Sequence, residues 1–370
     1  MTDDAAEASR ALGKRGDMVV HTVDPYNAEP PRAALAAAPL TPLDAFYVRN
    51  HGPVPATRTA SYRLCIDGLV VRPQELSVAE LRDRFEERRM VATLQCAGNR
   101  RSGLQEVSPI PGEASWGPGA TGTAEWSGVA LADVLRDTGL AAEARYVELI
   151  GADISAEARP SQPFGASVSR RKALDGEVML AWAMNGEPLP AVHGAPLRVV
   201  VPGYIGARSV KWLARISARE TPSENFFQAQ TYRLLGADDD ADAGLRGAGF
   251  PLGAVAVNAD FLAPADGSRV AAGELKVDGY AFAGDDRHIV RVDVSTDGGR
   301  HWHQAELLDA ASSWAWRRWR ATVTVDSGAA EVVARAWDSA AATQPEDPAQ
   351  LWNPKGYANN SWARLRLRVR

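Results

Sequence analysis

From about residue 60 onward the apolar and polar positions follow two periods in turn. SYRLCIDG (61–68) alternates as a half-buried strand and stops at an Asp-Gly turn. Ser77-Val-Ala-Glu80 has the spacing of a capping box and opens the amphipathic stretch AELRDRFEERR (79–89), predicting a helix. MVATLQC (90–96) reads as a buried strand and GVALADVLRDTG (128–139) as a helix closed by Gly139. RYVELIG, PLRVVVPG and VKWLARISA predict three further strands, so a mixed α+β domain spans residues 46–235. Residues 1–45, rich in Ala and Pro, predict an extended arm laid over the surface. GADDDADAGLRGAG (236–249) is acidic and glycine-rich, and residues 236–254 read as a linker. Beyond it come only short strands with turn signals between them: GELKVDGYAFA, HIVRVDVS, HWHQAEL, WRRWRATVTV, EVVARAWDS and SWARLRLRVR. Thr296-Asp-Gly-Gly299 marks a hairpin, and residues 364–370 place Leu365, Leu367 and Val369 inward and the arginines outward. Residues 255–370 therefore predict an immunoglobulin-like β-sandwich.

Composition narrows the function. The 370 residues carry a formal charge of −5, with 41 basic against 46 acidic side chains, which gives no positive field for nucleic acid. Cys65 and Cys96 are the two cysteines, too few for a disulfide scaffold or an all-thiolate metal cage. No apolar run is long enough for a leader or a membrane span, and the expectation is a cytoplasmic protein with reduced thiols. Of eleven tryptophans, Trp302, Trp314, Trp316 and Trp319 fall close together, as a dimer interface or as core packing.

Three blocks hold the candidate chemistry. In Thr93-Leu-Gln-Cys-Ala-Gly-Asn-Arg-Arg101 a strand rises to Cys96 and breaks before two arginines. Fixed guanidinium charge would favour the thiolate, a nucleophile or soft-metal ligand; the other reading is a buried structural cysteine. Cys65, inside a strand, reads as structural. Phe46-Tyr-Val-Arg-Asn-His-Gly-Pro53 forms a stiff loop offering donors to an anion, or a solvated turn. The third block, His193 to Trp212, brackets an apolar strand with His193, Arg198, Arg208 and Lys211. Its Gly203/Gly206 loop permits close backbone approach but matches neither a dinucleotide fingerprint nor a P-loop.

FYVRNHGPVP, TLQCAGNRR and HGAPLRVVVPGYIGARSVKWLARI, in this order, resemble the core motifs of the sulfite oxidase family of molybdopterin enzymes. DPYNAEPPR, AWAMNGEPLP, VRVDVSTDGGRHWHQAEL and WNPKGYANNSW extend the likeness from about residue 23 onward. It implies a molybdopterin domain followed by a dimerisation sandwich, and hence a homodimer. It makes Cys96 the protein ligand of molybdenum. It places Tyr47, Val48, Arg49, Asn50, His51, Asp153, His193, Arg198, Ser209, Val210 and Lys211 on the cofactor. Arg49 and Arg101 match substrate-pocket arginines, Trp116 a pocket wall and Tyr232 the active-site tyrosine. The implied reaction is oxidation of sulfite, or a similar small oxyanion, by oxygen-atom transfer, with electrons passed to oxygen or an external carrier such as a cytochrome. No haem or flavin module is expected. Lys355 stands where animal and plant sulfite oxidases carry arginine, and is expected to act as a looser third pocket cation. Trp116-Gly-Pro-Gly-Ala-Thr-Gly122 is more glycine-rich than in some relatives. The same fold acting on nitrate or another small oxo-compound, a thiol hydrolase pairing Cys96 with His193, and a non-catalytic binding protein are the alternatives.

Overall fold

The alternating segments of the first domain assemble into two five-stranded sheets, and the strand-only segments after them into a two-sheet sandwich. The computed structural model describes residues 3–56, 59–308 and 312–370. The fold is mixed α+β, mostly sheet, as the periodicities predict. One sheet of the first domain runs Gln74–Leu76, Leu64–Gly68, Leu213–Arg219, Tyr146–Ser155, Gln162–Ser169; its Leu64–Gly68/Leu213–Arg219 pair is parallel. The other joins Arg88–Gln95, Thr121–Ala130 and Met179–Met184, with Glu187–Pro188 and Arg198–Val200 both pairing Met179–Met184. The helix Leu131–Thr138 packs Leu131, Val134 and Leu135 into a core with Leu64, Val147, Leu149 and Ile216. This frame brings the end of Arg88–Gln95, with Cys96, beside the strap after Arg198–Val200: Gln95 pairs with Ile205 in an isolated parallel bridge.

Three expected boundaries move. The helix opened at Ser77 ends at Arg84, because Arg88–Gln95 is claimed by Thr121–Ala130 as its antiparallel partner. Gly128-Val129-Ala130 likewise belongs to a strand, paired with Ala181, Leu180 and Met179, so the next helix starts only at Leu131. Thr121–Ala130, Gln162–Ser169 and Met179–Met184 are strands that the apolar pattern did not single out.

The amino-terminal segment is not an extended arm. Asp3–Ala11 is a helix, Val19–Thr22 and Asn27–Glu29 form a hairpin, and Arg32–Ala36 is a second short helix. Met18 and Tyr26 bury against Ala28, Val48 and Val192, apolar burial that the proline count concealed. The 236–254 segment is likewise no free linker. Arg233–Leu234 pairs Phe250–Pro251, and Arg233 donates to the carbonyls of Gly247, Ala248 and Gly249, closing the acidic stretch into a loop.

In the sandwich, Asn258–Ala263, Gly273–Phe282, Arg317–Val325 and Glu306–Leu307 face Arg269–Val270, Ala363–Val369, Gly328–Asp338, Ile289–Ser295 and His303–Gln304. Leu365, Leu367 and Val369 are buried, as their alternation predicts. The four tryptophans do not cluster. Trp319 fills the sandwich core, and Trp302 stacks edge-on against Trp362. Trp314 and Trp316 instead bind the sandwich to the first domain: the Trp314 carbonyl accepts from Thr93 N–H at 2.9 Å and Trp316 N–H donates to Thr93 Oγ1 at 2.7 Å. Among the described residues, no helix is long and apolar enough to cross a membrane.

The capping box forms as its spacing predicts: Ser77 Oγ accepts from Glu80 N–H and Glu80 Oε2 accepts from Ser77 N–H. Ser77→Ala is expected to cost about 1 kcal/mol, read as a shift of the urea midpoint without a change in slope.

Candidate active site

Cys96 leaves the buried strand with its N–H on the Ala120 carbonyl, and the chain then turns tightly through Ala97–Arg100. The sulfur accepts the Gly98 N–H at 3.4 Å and lies between two cavities. The inner one, about 620 Å³, is lined by Tyr47, Arg49, Asn50, His51, Asp153, His193, Arg198, Ser209, Lys211 and Tyr232, with Phe46, Leu94, Phe164, Gly206 and Ala207 completing its wall. The outer one, about 910 Å³, is lined by Arg49, Arg101, Trp116, Tyr357, Glu113 and Glu157 among others. Cys96, Arg49 and Tyr232 face both.

The inner cavity is built for an anionic, hydrogen-bonding guest. Arg198, 4% exposed, is fixed by the carbonyls of His193 and Ser209, with Trp126 under its guanidinium. Burial pulls it down to about 10, so it remains cationic at neutral pH. Lys211 Nζ reaches Asn50 Oδ1 and the Val192 carbonyl; burial, then Arg198 close by, pushes its ammonium well below the ordinary lysine value. Asn50 Nδ2, His51 Nδ1 and Asp153 Oδ1 are buried without a hydrogen-bond partner, although buried polar groups ordinarily find one. Burial also lifts the Asp153 carboxyl to about 6.

Tyr232 arrives on a π-helical turn, Phe227–Thr231, that presents its hydroxyl to His51 Nε2 at 2.8 Å. Burial, with Arg49 and Lys211 nearby, holds the His51 imidazole neutral, so a neutral ring and a protonated phenol face the junction. Trp116 belongs to the outer wall only. The hairpin Val19–Glu29 holds its glycine-rich loop: Glu29 accepts the N–H groups of Gly117 and Gly119 at 2.6 and 2.8 Å, and the His21 ring packs on the indole.

Arg101, 3% exposed, lies across the turn. A Cβ on Gly98 would meet its guanidinium at 2.9 Å, and one on Gly356 its Cγ at 2.6 Å, so both glycines leave its path open. Nε donates to the Lys355 carbonyl and Nη1 to that of Ala114, both at 2.9 Å. Its neighbour Arg100 turns away, to Asp260 and the carbonyls of Ser361 and Trp362.

Several expectations need correction. The arginines pull toward the Cys96 thiolate as expected, but burial outweighs Arg49, the Gly98 N–H and Arg101 together and raises the thiol. Val48 and Val210 are buried but do not line the cavity; they lie in backbone pairings with Ala28 and Val199. Lys355 is not an open pocket cation, because its ammonium meets Glu113 at 3.0 Å. The close approach allowed by Gly206 is that of the Tyr47 hydroxyl. Cys96 and His193 form no dyad, since His193 Nε2 is taken by the ammonium of Lys14. Cys65 hydrogen-bonds Asp67 within a strand paired on both sides, to Glu75 and to Arg215.

Lys14 was missed by sequence reasoning, because it lies far along the chain from every motif that lines the site. It is 4% exposed and also donates to the carbonyls of Leu43 and Phe46. Burial draws its ammonium from 10.5 to about 7. The unfolded chain keeps that proton up to about pH 10, where the folded state has lost it. Lys14 therefore makes cofactor-free stability rise between pH 7 and 10, by about 1.4 kcal/mol per pH unit, and its penalty is full below pH 7. Lys14→Met is expected to raise stability at neutral pH and to flatten this slope, as urea midpoints at pH 6, 8 and 10 will read.

Residues 51–227 match the family model for the oxidoreductase molybdopterin binding domain, and residues 252–370 that for the Mo-co oxidoreductase dimerisation domain. The chain is 42% identical to the sulfite oxidase of Gallus gallus over 93% of its length and 76% of the relative's. It is 38% identical to that of Arabidopsis thaliana, covering 98% and 97%. The sulfane dehydrogenase SoxCD from Paracoccus pantotrophus superposes with a TM-score of 0.79 at 28% identity, covering 93% of this chain and 84% of that one. A cysteine at the junction of a cationic cavity and an arginine-walled cleft, in a chain matched along nearly its whole length, places this protein in the sulfite oxidase family of molybdopterin-dependent oxidoreductases.

Proposed function

We propose that the chain binds the molybdenum–molybdopterin cofactor in its inner cavity and oxidises sulfite to sulfate at the junction, sulfite and water yielding sulfate, two protons and two electrons. The observation that carries this reading is the position of Cys96, shared by both cavities. The cofactor suits the residues present. Its anionic groups would restore charge balance around Lys211 and Arg198, and its polar edges would supply the partners that Asn50, His51 and Asp153 lack. Cys96 would be the protein ligand, because a thiolate matches the soft donors of such a site. When bound, the cofactor supplies the two-electron couple for oxygen-atom transfer.

The protein's own groups do the rest. Arg49 and Arg101 would hold the oxyanion, preorganised by bonds that do not change during the reaction. Trp116 narrows the cleft, and the Tyr232 hydroxyl, kept protonated by burial, can donate to a substrate oxygen while His51 Nε2 fixes its direction. Electrons would leave to oxygen or to an external carrier such as a cytochrome, and the carboxy-terminal sandwich would pair two copies as a homodimer.

Protein from a cofactor-competent host is expected to contain about one molybdenum per chain and to reduce ferricyanide in a sulfite-dependent manner. It should not oxidise reduced viologen dye with nitrate. Molybdenum-free protein from that host, or activity with nitrate alone, overturns the reading.

A further inference from the structure

The two cleft arginines are held in the same way. Arg49 Nη1 is tied to Asn27 Oδ1 and the Asn50 carbonyl, while its Nη2 meets the Glu157 carboxylate at 3.7 Å. Arg101 is tied through Nε and Nη1 to two backbone carbonyls, while its Nη2 meets the Glu113 carboxylate at 3.3 Å. In each case neutral acceptors position the guanidinium, and one terminal nitrogen rests on a carboxylate that itself lines the cleft.

Glu113 also takes the ammonium of Lys355, so a single carboxylate occupies two cations at once. It stands in a surface stretch in which Pro111, Gly112 and Ser115 are exposed, whereas the Arg101 side chain is only 4% exposed. The Glu113 side chain can therefore swing out by its own rotation, while the backbone of Ala114 stays and the guanidinium keeps the carbonyls of Ala114 and Lys355. An oxyanion has the charge sign and the acceptor geometry to replace it.

We propose that Glu113 is a displaceable internal counter-ion that sets oxyanion affinity in the outer cleft: it occupies Arg101 and Lys355 when the cleft is empty and yields them to the incoming anion. Glu157 does the same for Arg49. This deepens the functional reading above and rests on it for the identity of the oxyanion. Two arginines and two carboxylates line the cleft and Lys355 joins them from behind through Glu113, so the group carries one surplus positive charge. Capture of a dianion is weaker than three free cations would give, and the sulfate product is released correspondingly faster.

The test uses cofactor-loaded Glu113→Gln and wild type, with inorganic sulfate as the probe in titration calorimetry and sulfite in steady-state assays. Removing the carboxylate while keeping its shape is expected to tighten sulfate binding about tenfold and to lower KM for sulfite in parallel, with both effects shrinking at high salt. Unchanged or weaker sulfate binding in a folded variant would mean that Glu113 only props Arg101, and overturns the proposal. Should Glu113→Gln not fold, Glu157→Gln carries the same expectation at Arg49, and unchanged sulfate affinity there is equally decisive. Wild type that binds sulfate but does not oxidise sulfite defeats the functional reading and leaves the counter-ion test standing on calorimetry.

Discussion

Cys96→Ser is expected to lower sulfite-dependent ferricyanide reduction by about 10³-fold or more, with the fold intact. The side chain is 7% exposed in a tight turn, and serine is close enough in volume to keep the Ala120 and Gly98 contacts. What it cannot supply is a polarisable sulfur. Burial raises the thiol, so thiolate formation depends on a bound cation; a hydroxyl, far less acidic, would remain protonated in the same place. The thermal midpoint should move by no more than a few degrees. Cys65→Ser is the control, expected to retain activity. An active Cys96→Ser enzyme would remove the sulfur from the chemistry.

Arg101→Ala is expected to lose on two counts. In the cleft it removes the donor proposed to hold the substrate oxyanion, a change expected to lower kcat/KM about 10²- to 10³-fold, mostly as a raised KM. In the fold it leaves the carbonyls of Lys355 and Ala114 without their donor and takes one of two partners from Glu113. With Arg101 only 3% exposed, that loss is about 2–4 kcal/mol, visible as a lowered urea midpoint. Arg101→Lys separates the effects: a lysine restores charge but not the fork, so KM should recover only in part. Equal losses in kcat and stability with KM unchanged would place Arg101 in the scaffold alone.

The sequence was informative wherever function sits in contiguous blocks. FYVRNHG, LQCAGNRR and the stretch from His193 to Trp212 supplied most of the inner cavity, because each folds as one strand end or strap whose neighbours travel with it. It was silent where a lone side chain is made important by tertiary placement. Lys14 meets His193 across 179 positions, and Glu113 meets Lys355 across 242; neither carries a local signature. Motif matching also claims whole runs, and so took in Val48 and Val210, which are buried in backbone contacts with Ala28 and Val199 and do not line the cavity. The proline-rich start misled for another reason. Its prolines do fall at turns and just before short helices, but the apolar residues between them decide its burial.

The anchoring of Arg100 and Arg101 has a consequence for assembly. Arg101 takes one of its two backbone acceptors from Lys355, and Arg100 takes acceptors from Ser361 and Trp362, all more than 250 positions later in the chain. While the chain is still being synthesised, the inner cavity's residues, all before 233, can emerge and pack well before those acceptors exist. The oxyanion cleft is thus a late, long-range product of folding, and an injury to sandwich docking should surface as a defect in substrate capture before any loss of cofactor.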